Sequence, residues 1–302
     1  MNIHNSVKEK YIQDAVPKPD DETKHLPVST SVPPVFPPEQ EQLFREVLTL
    51  FNDAQIPYAV SGAFALQKHT GIWRNTKDLD LFLAPEDVPA AMQALKDKKF
   101  ETEVRDPVWL AKAHRSDFFV DLITGMSNAV ITVNRSWIDR STPSEIMGIP
   151  SRVLAPEELI CSKLFVTFRE RFDGADIVHV IHGTRGTLDW QRILGIVGEH
   201  WELLLWAMLF FHYVYPAETH YVPRATWDDL LGRLHLELDS PRADAHFRGS
   251  LLDERMFAID VHEWGMANLI EHHRSNREGK ILEESANPRP PESLGTAEEP
   301  AA

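Results

Sequence analysis

Asp78 and Asp80 stand two apart in the stretch Arg74-Asn-Thr-Lys-Asp-Leu-Asp-Leu-Phe-Leu83. In an extended strand, residues two apart project from one face, so these carboxylates lie side by side while Leu79, Leu81 and Leu83 turn to the core. Two such anions are costly together unless neutralised, and Mg²⁺ favours carboxylates combined with phosphate oxygens and water. The spacing therefore outlines a hard-cation site. A third carboxylate comes from Asp121 in Phe118-Phe-Val-Asp-Leu-Ile, the one charge within an apolar strand, where burial demands a partner. Asp117 competes for that place, but it stands at the strand's start, where solvent accounts for it.

Anionic ligands need donors as well as a cation. Ser61-Gly62, in Tyr58-Ala-Val-Ser-Gly-Ala-Phe-Ala-Leu, falls where a strand turns into a helix. Free backbone N–H groups and the positive end of the helix dipole bind phosphate oxygens there, and Gly62 lets the backbone approach closely. Arg74 can pair with phosphate or with Asp78. Lys163, set among Leu159, Ile160 and Leu164, either snorkels to solvent or neutralises an anion. Asp173 and Asp176 flank Gly174, and capping of the next helix explains Asp173 equally well.

The elements that must hold these residues alternate. The pattern predicts helices at 39–54, 63–70 and 85–98, strands at 58–61, 78–83, 100–104 and 118–123, and a short helix around Trp109. From Pro156 onward it predicts helices at 157–172, 175–181, 190–198, 201–213 and 227–236. The division expected is a Pro-rich flexible arm at 1–40, a mixed α/β domain at 41–155, a helical domain at 156–275 and a Glu/Pro/Ser-rich tail at 276–302.

Composition sets outer limits. With 302 residues and 43% hydrophobic content, the chain can bury one substantial core or two modest ones. Cys161 is the single cysteine, and no apolar signal segment follows Met1, so a disulfide-stabilised secreted fold is not expected and a cytoplasmic setting is. The apolar run at 203–215 is too short to cross a bilayer and reads as a buried helix. A net charge of -15 disfavours bulk nucleic acid.

These residues resemble the minimal nucleotidyltransferase superfamily, whose pattern is a Gly-Ser or Gly-Gly turn, an Asp-x-Asp strand and a third Asp on a later strand. The likeness is to the branch that includes AbiEii-like and MenT-like toxin nucleotidyltransferases. Its downstream helix and Asp cluster look like Pro156-Glu-Glu-Leu-Ile-Cys-Ser-Lys-Leu and Arg169-Glu-Arg-Phe-Asp-Gly-Ala-Asp-Ile177. The resemblance covers roughly residues 55–185, and it departs at the turn, where Ser61 precedes Gly62. It implies an α+β fold, a mixed sheet flanked by helices and followed by a mainly helical region. It implies an enzyme that moves a nucleoside monophosphate from a nucleoside triphosphate to a hydroxyl of a small molecule, tRNA or protein. Asp78, Asp80 and Asp121 would hold Mg²⁺ or Mn²⁺, one cation on the first pair and another nearer Asp121, which can serve as general base. Ser61, Gly62, Arg74, Lys163 and Asp176 would bind the nucleotide, Lys163 would also stabilise the negative charge on the transferred or departing group, and an antitoxin partner would be open to such a protein. The alternative is a nucleotide-binding or scaffold protein that keeps the fold without turnover.

Other signals carry less. His179 and His182 lack a third ligand, and Gly183-Thr-Arg-Gly-Thr lacks the end of a P-loop. Trp190, Trp201, Trp206 and Trp227 read as core aromatics, and Cys161 as a small buried hydrophobe.

Overall fold

The computed structural model of the chain describes residues 32–115 and 117–286. Seven strands form one mixed sheet: β1 (Ala59–Val60), β2 (Asp78–Phe82), β3 (Glu101–Asp106), β4 (Leu110–Arg115), β5 (Phe118–Ile123), β6 (Thr142–Ile146) and β7 (Ile149–Val153). Their order is β3-β4-β5-β2-β1-β7-β6. β2 runs parallel to β5 and β1 parallel to β7; the other neighbours are antiparallel. Period-two alternation buries Leu79 and Leu81 completely on one face of β2 and leaves the aspartates on the other.

Helix α1 (Pro38–Asp53) opens with proline at its first position and acidic Glu39 and Glu41 in its first turn, which suits the helix dipole. Its buried stripe of Leu43, Phe44, Val47, Leu48 and Phe51 packs on the sheet. Helix α2 (Gly62–Thr70) follows β1 directly and closes on Gly71 at φ +74°, where Gly71 N–H donates to the Gln67 carbonyl. Helices α3 (Val88–Asp97) and α4 (Arg135–Asp139) complete the sheet-bearing part.

From Pro156 the chain is mostly helical: α5 (Pro156–Lys163), α6 (Gly174–Gly183), α7 (Trp190–Val197), α8 (Trp201–Val214), α9 (Arg224–Asp239), α10 (Ala258–His262) and α11 (Leu269–Ala286). Glu158 on α5 is fully buried, accepts a 2.9 Å bond from Arg192 Nε of α7, and has Arg140 Nε at 3.6 Å just beyond α4. That ion cluster holds α5 between its neighbours. The stretch Trp190–Val214 has the length and apolarity of a membrane span, yet it breaks at Gly198 and its buried faces join the core. The run at 203–215 lies in α8, buried at Leu204, Leu205 and Phe211 and open at Trp206, Leu209 and Tyr213.

The α+β architecture with a mixed sheet is as expected, but three local expectations are corrected. No helix forms around Trp109; that residue ends a turn into β4, which pairs with β3 on one side and β5 on the other. The expected helix at 157–172 stops at Lys163 and gives way to a hairpin of β8 (Thr167–Phe168) and β9 (Arg171–Phe172), because β-branched and aromatic residues replace good helix formers there. The strands β6 and β7 were not foreseen at all. Of the arm expected at 1–40, residues 1–31 lie outside the described residues and 38–40 begin α1; of the tail expected at 276–302, α11 takes residues up to Ala286 and the rest lies outside.

Candidate active site

The strand register builds the site. Asp80 of β2 stands opposite Asp121 of β5, and Asp121 stands opposite Lys112 of β4. On the other flank Ser61 N–H donates to the Asp80 carbonyl at 2.8 Å. One cross-strand row therefore reads Lys112, Asp121, Asp80, Ser61, with Asp78 one pleat away on the same face. One carboxylate oxygen from each of Asp78, Asp80 and Asp121 lies within 4.8 Å of the others.

Each acid is held differently. Asp78 Oδ1 accepts from Thr76 Oγ1 at 2.5 Å, and the loop carrying Thr76 is pinned by Gln40 Nε2 of α1, which donates to its carbonyl at 2.8 Å. Asp121 Oδ1 accepts from Lys112 Nζ at 2.7 Å. Burial raises the Asp121 carboxyl, Lys112 opposes that rise, and Asp78 adds to it. Among the described residues no cation touches Asp80: burial, then Asp78 and Asp121, push its carboxyl up to about 7, against a weaker pull from Lys163 and Arg171. A carboxyl so placed favours either a proton or a neighbouring cation. Three hard oxygen donors with this unmet demand for positive charge fit Mg²⁺ or Mn²⁺.

Gly62 takes φ +57°, and a Cβ built on it would lie 1.9 Å from Asp80 Oδ2. The turn is thus compressed onto the acid by the absence of a side chain. Ser61, buried as the residue preceding α2, makes no capping bond through its side chain, so no side-chain cap occupies the first N–H groups of the helix. Gly62→Ala is expected to lose about 1–3 kcal/mol of stability through left-handed strain and displacement of Asp80. A urea midpoint equal to that of the wild type would show that the turn tolerates a Cβ.

A chain of alternating charges closes the other side. Arg74 pairs with Asp176; Asp176 Oδ2 forms an ion pair with Lys163 Nζ at 2.8 Å; Lys163 Nζ also donates to Asp173 Oδ2 at 2.7 Å; Asp173 is gripped by Arg171 through two 2.9 Å bonds. Burial would raise the Asp173 carboxyl, but the bonds from Arg171 and Lys163 outweigh it and hold it down at about 2. Of the two partners expected for Arg74, phosphate and Asp78, no ion pair with Asp78 forms among the described residues; Arg74 pairs with Asp176. Lys163, 7% exposed at its side chain, pairs with two carboxylates. Asp176 is engaged within this chain and not turned outward. Asp173 precedes α6 without capping it through its side chain.

Two residues of the site escaped the sequence reading. Arg171, 65% exposed at its side chain, is the cation of the network that opens to solvent near Asp80. Lys112 is nine residues from Asp121 along the chain and adjacent only through the hairpin. The β8–β9 hairpin that carries Arg171 is anchored from far along the chain: Asp253 Oδ2 accepts from Arg169 N–H at 3.1 Å, and its Oδ1 accepts from Arg255 and Met256 N–H. Among the described residues, His179 and His182 take no part in an acidic or metal-type cluster; His182 stacks on Tyr215 at 4.3 Å.

Residues 40–209 match the model of DUF6036, described as a nucleotidyltransferase of unknown function. That match does not single out the toxin-like branch. Among solved structures, the antibiotic-resistance factor ANT(2'')-Ia is 15% identical, with 61% of this chain and 96% of that chain covered and a TM-score of 0.36. An antigenic nucleotidyltransferase-like protein from Paracoccidioides brasiliensis is 17% identical, with 65% and 94% covered and a TM-score of 0.37. A nucleotidyltransferase described as putative, from H. pylori, is 14% identical, with 80% and 96% covered and a TM-score of 0.33. No curated protein matches.

Proposed function

The chain belongs to the DUF6036 family of nucleotidyltransferases, and from that premise we propose that it transfers a nucleoside monophosphate from a nucleoside triphosphate to a hydroxyl acceptor in a metal-dependent reaction. The observation that carries the reading is the convergence of Asp78, Asp80 and Asp121 beside the Gly62 turn. These three acids would hold a divalent cation, Mg²⁺ or Mn²⁺. Bound there, it supplies charge neutralisation for the phosphates and a lowered pKa for the attacking hydroxyl.

The remaining work falls to the chain itself. Backbone N–H groups at the start of α2 bind phosphate oxygens, and Gly62 admits them without a side chain in the way. Arg171 takes up charge on the departing pyrophosphate, the role expected of Lys163, which instead holds Asp173 and Asp176 in place beneath it. Asp121, with Oδ1 taken by Lys112, has Oδ2 left to receive the acceptor's proton.

For the acceptor, a net charge of -15 favours a cationic small molecule over tRNA or an exposed protein side chain. A cytoplasmic setting suits a reaction that draws on nucleoside triphosphates. The test is incubation of the protein with each α-labelled triphosphate, Mg²⁺ and fractionated cell extract. Label on a small basic compound is the expected result. Label on tRNA, with binding that weakens steeply as salt rises, would replace the acceptor class. Absence of transfer from all four triphosphates would remove the reaction itself.

A further inference from the structure

The row that aligns the acids contains one residue that no nucleotide-binding role requires. Lys112 and Asp121 are direct partners in the β4–β5 ladder, so the ammonium is placed against the third carboxylate by backbone register and not by side-chain chance. Nζ lies 2.7 Å from Asp121 Oδ1 and 4.2 Å from the centroid of the Phe119 ring, and the lysine side chain is 23% exposed. The ring beneath and the acid ahead fix the cation on two sides.

We propose that Lys112 is the built-in counter-ion of Asp121 and excludes a second divalent cation from the triad in the free protein, so that the triad binds one ion. The inference rests on the metal-site reading above. Charge counting supports it. Three carboxylates carry three negative charges; Lys112 cancels one, and a single divalent ion cancels the other two. A second divalent ion near Asp121 would have to displace the ammonium or sit against it at close range. Without the lysine, Asp121 becomes an uncompensated acid and a second ion gains a ligand. Lys112 is thereby a positioning residue, setting metal occupancy through Asp121.

The test is Mn²⁺ titration of the full chain without nucleotide, followed by the electron paramagnetic resonance signal of free Mn²⁺. The wild type is expected to take up one ion per chain and Lys112→Met two, the second with affinity at least about tenfold above any second site of the wild type. Lys112→Arg keeps the charge and should still bind one, which guards against a purely structural effect of the methionine. Two ions in the wild type, or one in Lys112→Met, overturns the inference and leaves the proposed function standing. No ion in any of the three proteins overturns both.

Discussion

Asp80→Asn is expected to lower nucleotidyl transfer by at least about a thousandfold while making the metal-free protein more stable at neutral pH. The first effect follows from the proposed metal site, whose central acid it removes, since transition-state stabilisation by a bound cation amounts to several kcal/mol. The second follows from proton linkage. The Asp80 carboxyl is pushed up to about 7 in the folded chain from an ordinary 3.8. Between those values the folded state holds a proton that the unfolded state has released, so stability falls as pH rises from about 4 to about 7. The loss is on the order of 4 kcal/mol, from three pH units at about 1.4 kcal/mol each. Asparagine carries no such proton, and its melts should lack this slope. Urea unfolding in chelator from pH 4 to 8 measures it; equal slopes in the two proteins would show that Asp80 is not desolvated as the structure has it. Added Mg²⁺ should restore the wild type at pH 8 by about 2.7 kcal/mol at a hundred times its Kd, and leave the variant unchanged.

Lys163→Met is the second large effect, expected to destabilise the fold by about 3 kcal/mol. Removing one partner from a buried ion cluster strands its acids, typically at 3–5 kcal/mol, and the lower end applies because Arg171 still serves Asp173 and Arg74 still serves Asp176. A lowered urea midpoint at an unchanged m-value is the signature. A lysine acting only as a phosphate ligand would instead lose transfer with stability within about 0.5 kcal/mol of the wild type. The two roles are therefore separable by one unfolding curve and one transfer assay.

The acids were legible in the sequence because their signal is local. Asp-x-Asp fixes two side chains on one strand face, and an isolated acid among Phe118, Phe119, Val120, Leu122 and Ile123 announces an exception to burial. The turn at Ser61-Gly62 was legible for the same reason. What failed depends on partners distant in sequence. Leu-Ala-Lys-Ala-His-Arg has no strand propensity worth the name, yet it forms β4 because strands flank it on both sides. Pro143 and Pro150 hid β6 and β7, although β6 lies at the sheet's edge, where a missing N–H is tolerated. Lys112 could be placed only once the register was known. Lys163 and Arg74 were rightly noticed as charges in unusual surroundings, but which acids they meet depends on how α5 and α6 pack.

The bond from Arg169 N–H to Asp253 ties the hairpin to a residue well past position 209, where the family match ends. A fragment trimmed to the matched span would keep all three acids, the turn and the packing of Phe172 on Trp206, but would leave the Arg169 N–H without its acceptor. The contacts that hold this hairpin accordingly reach beyond the stretch that identifies the family.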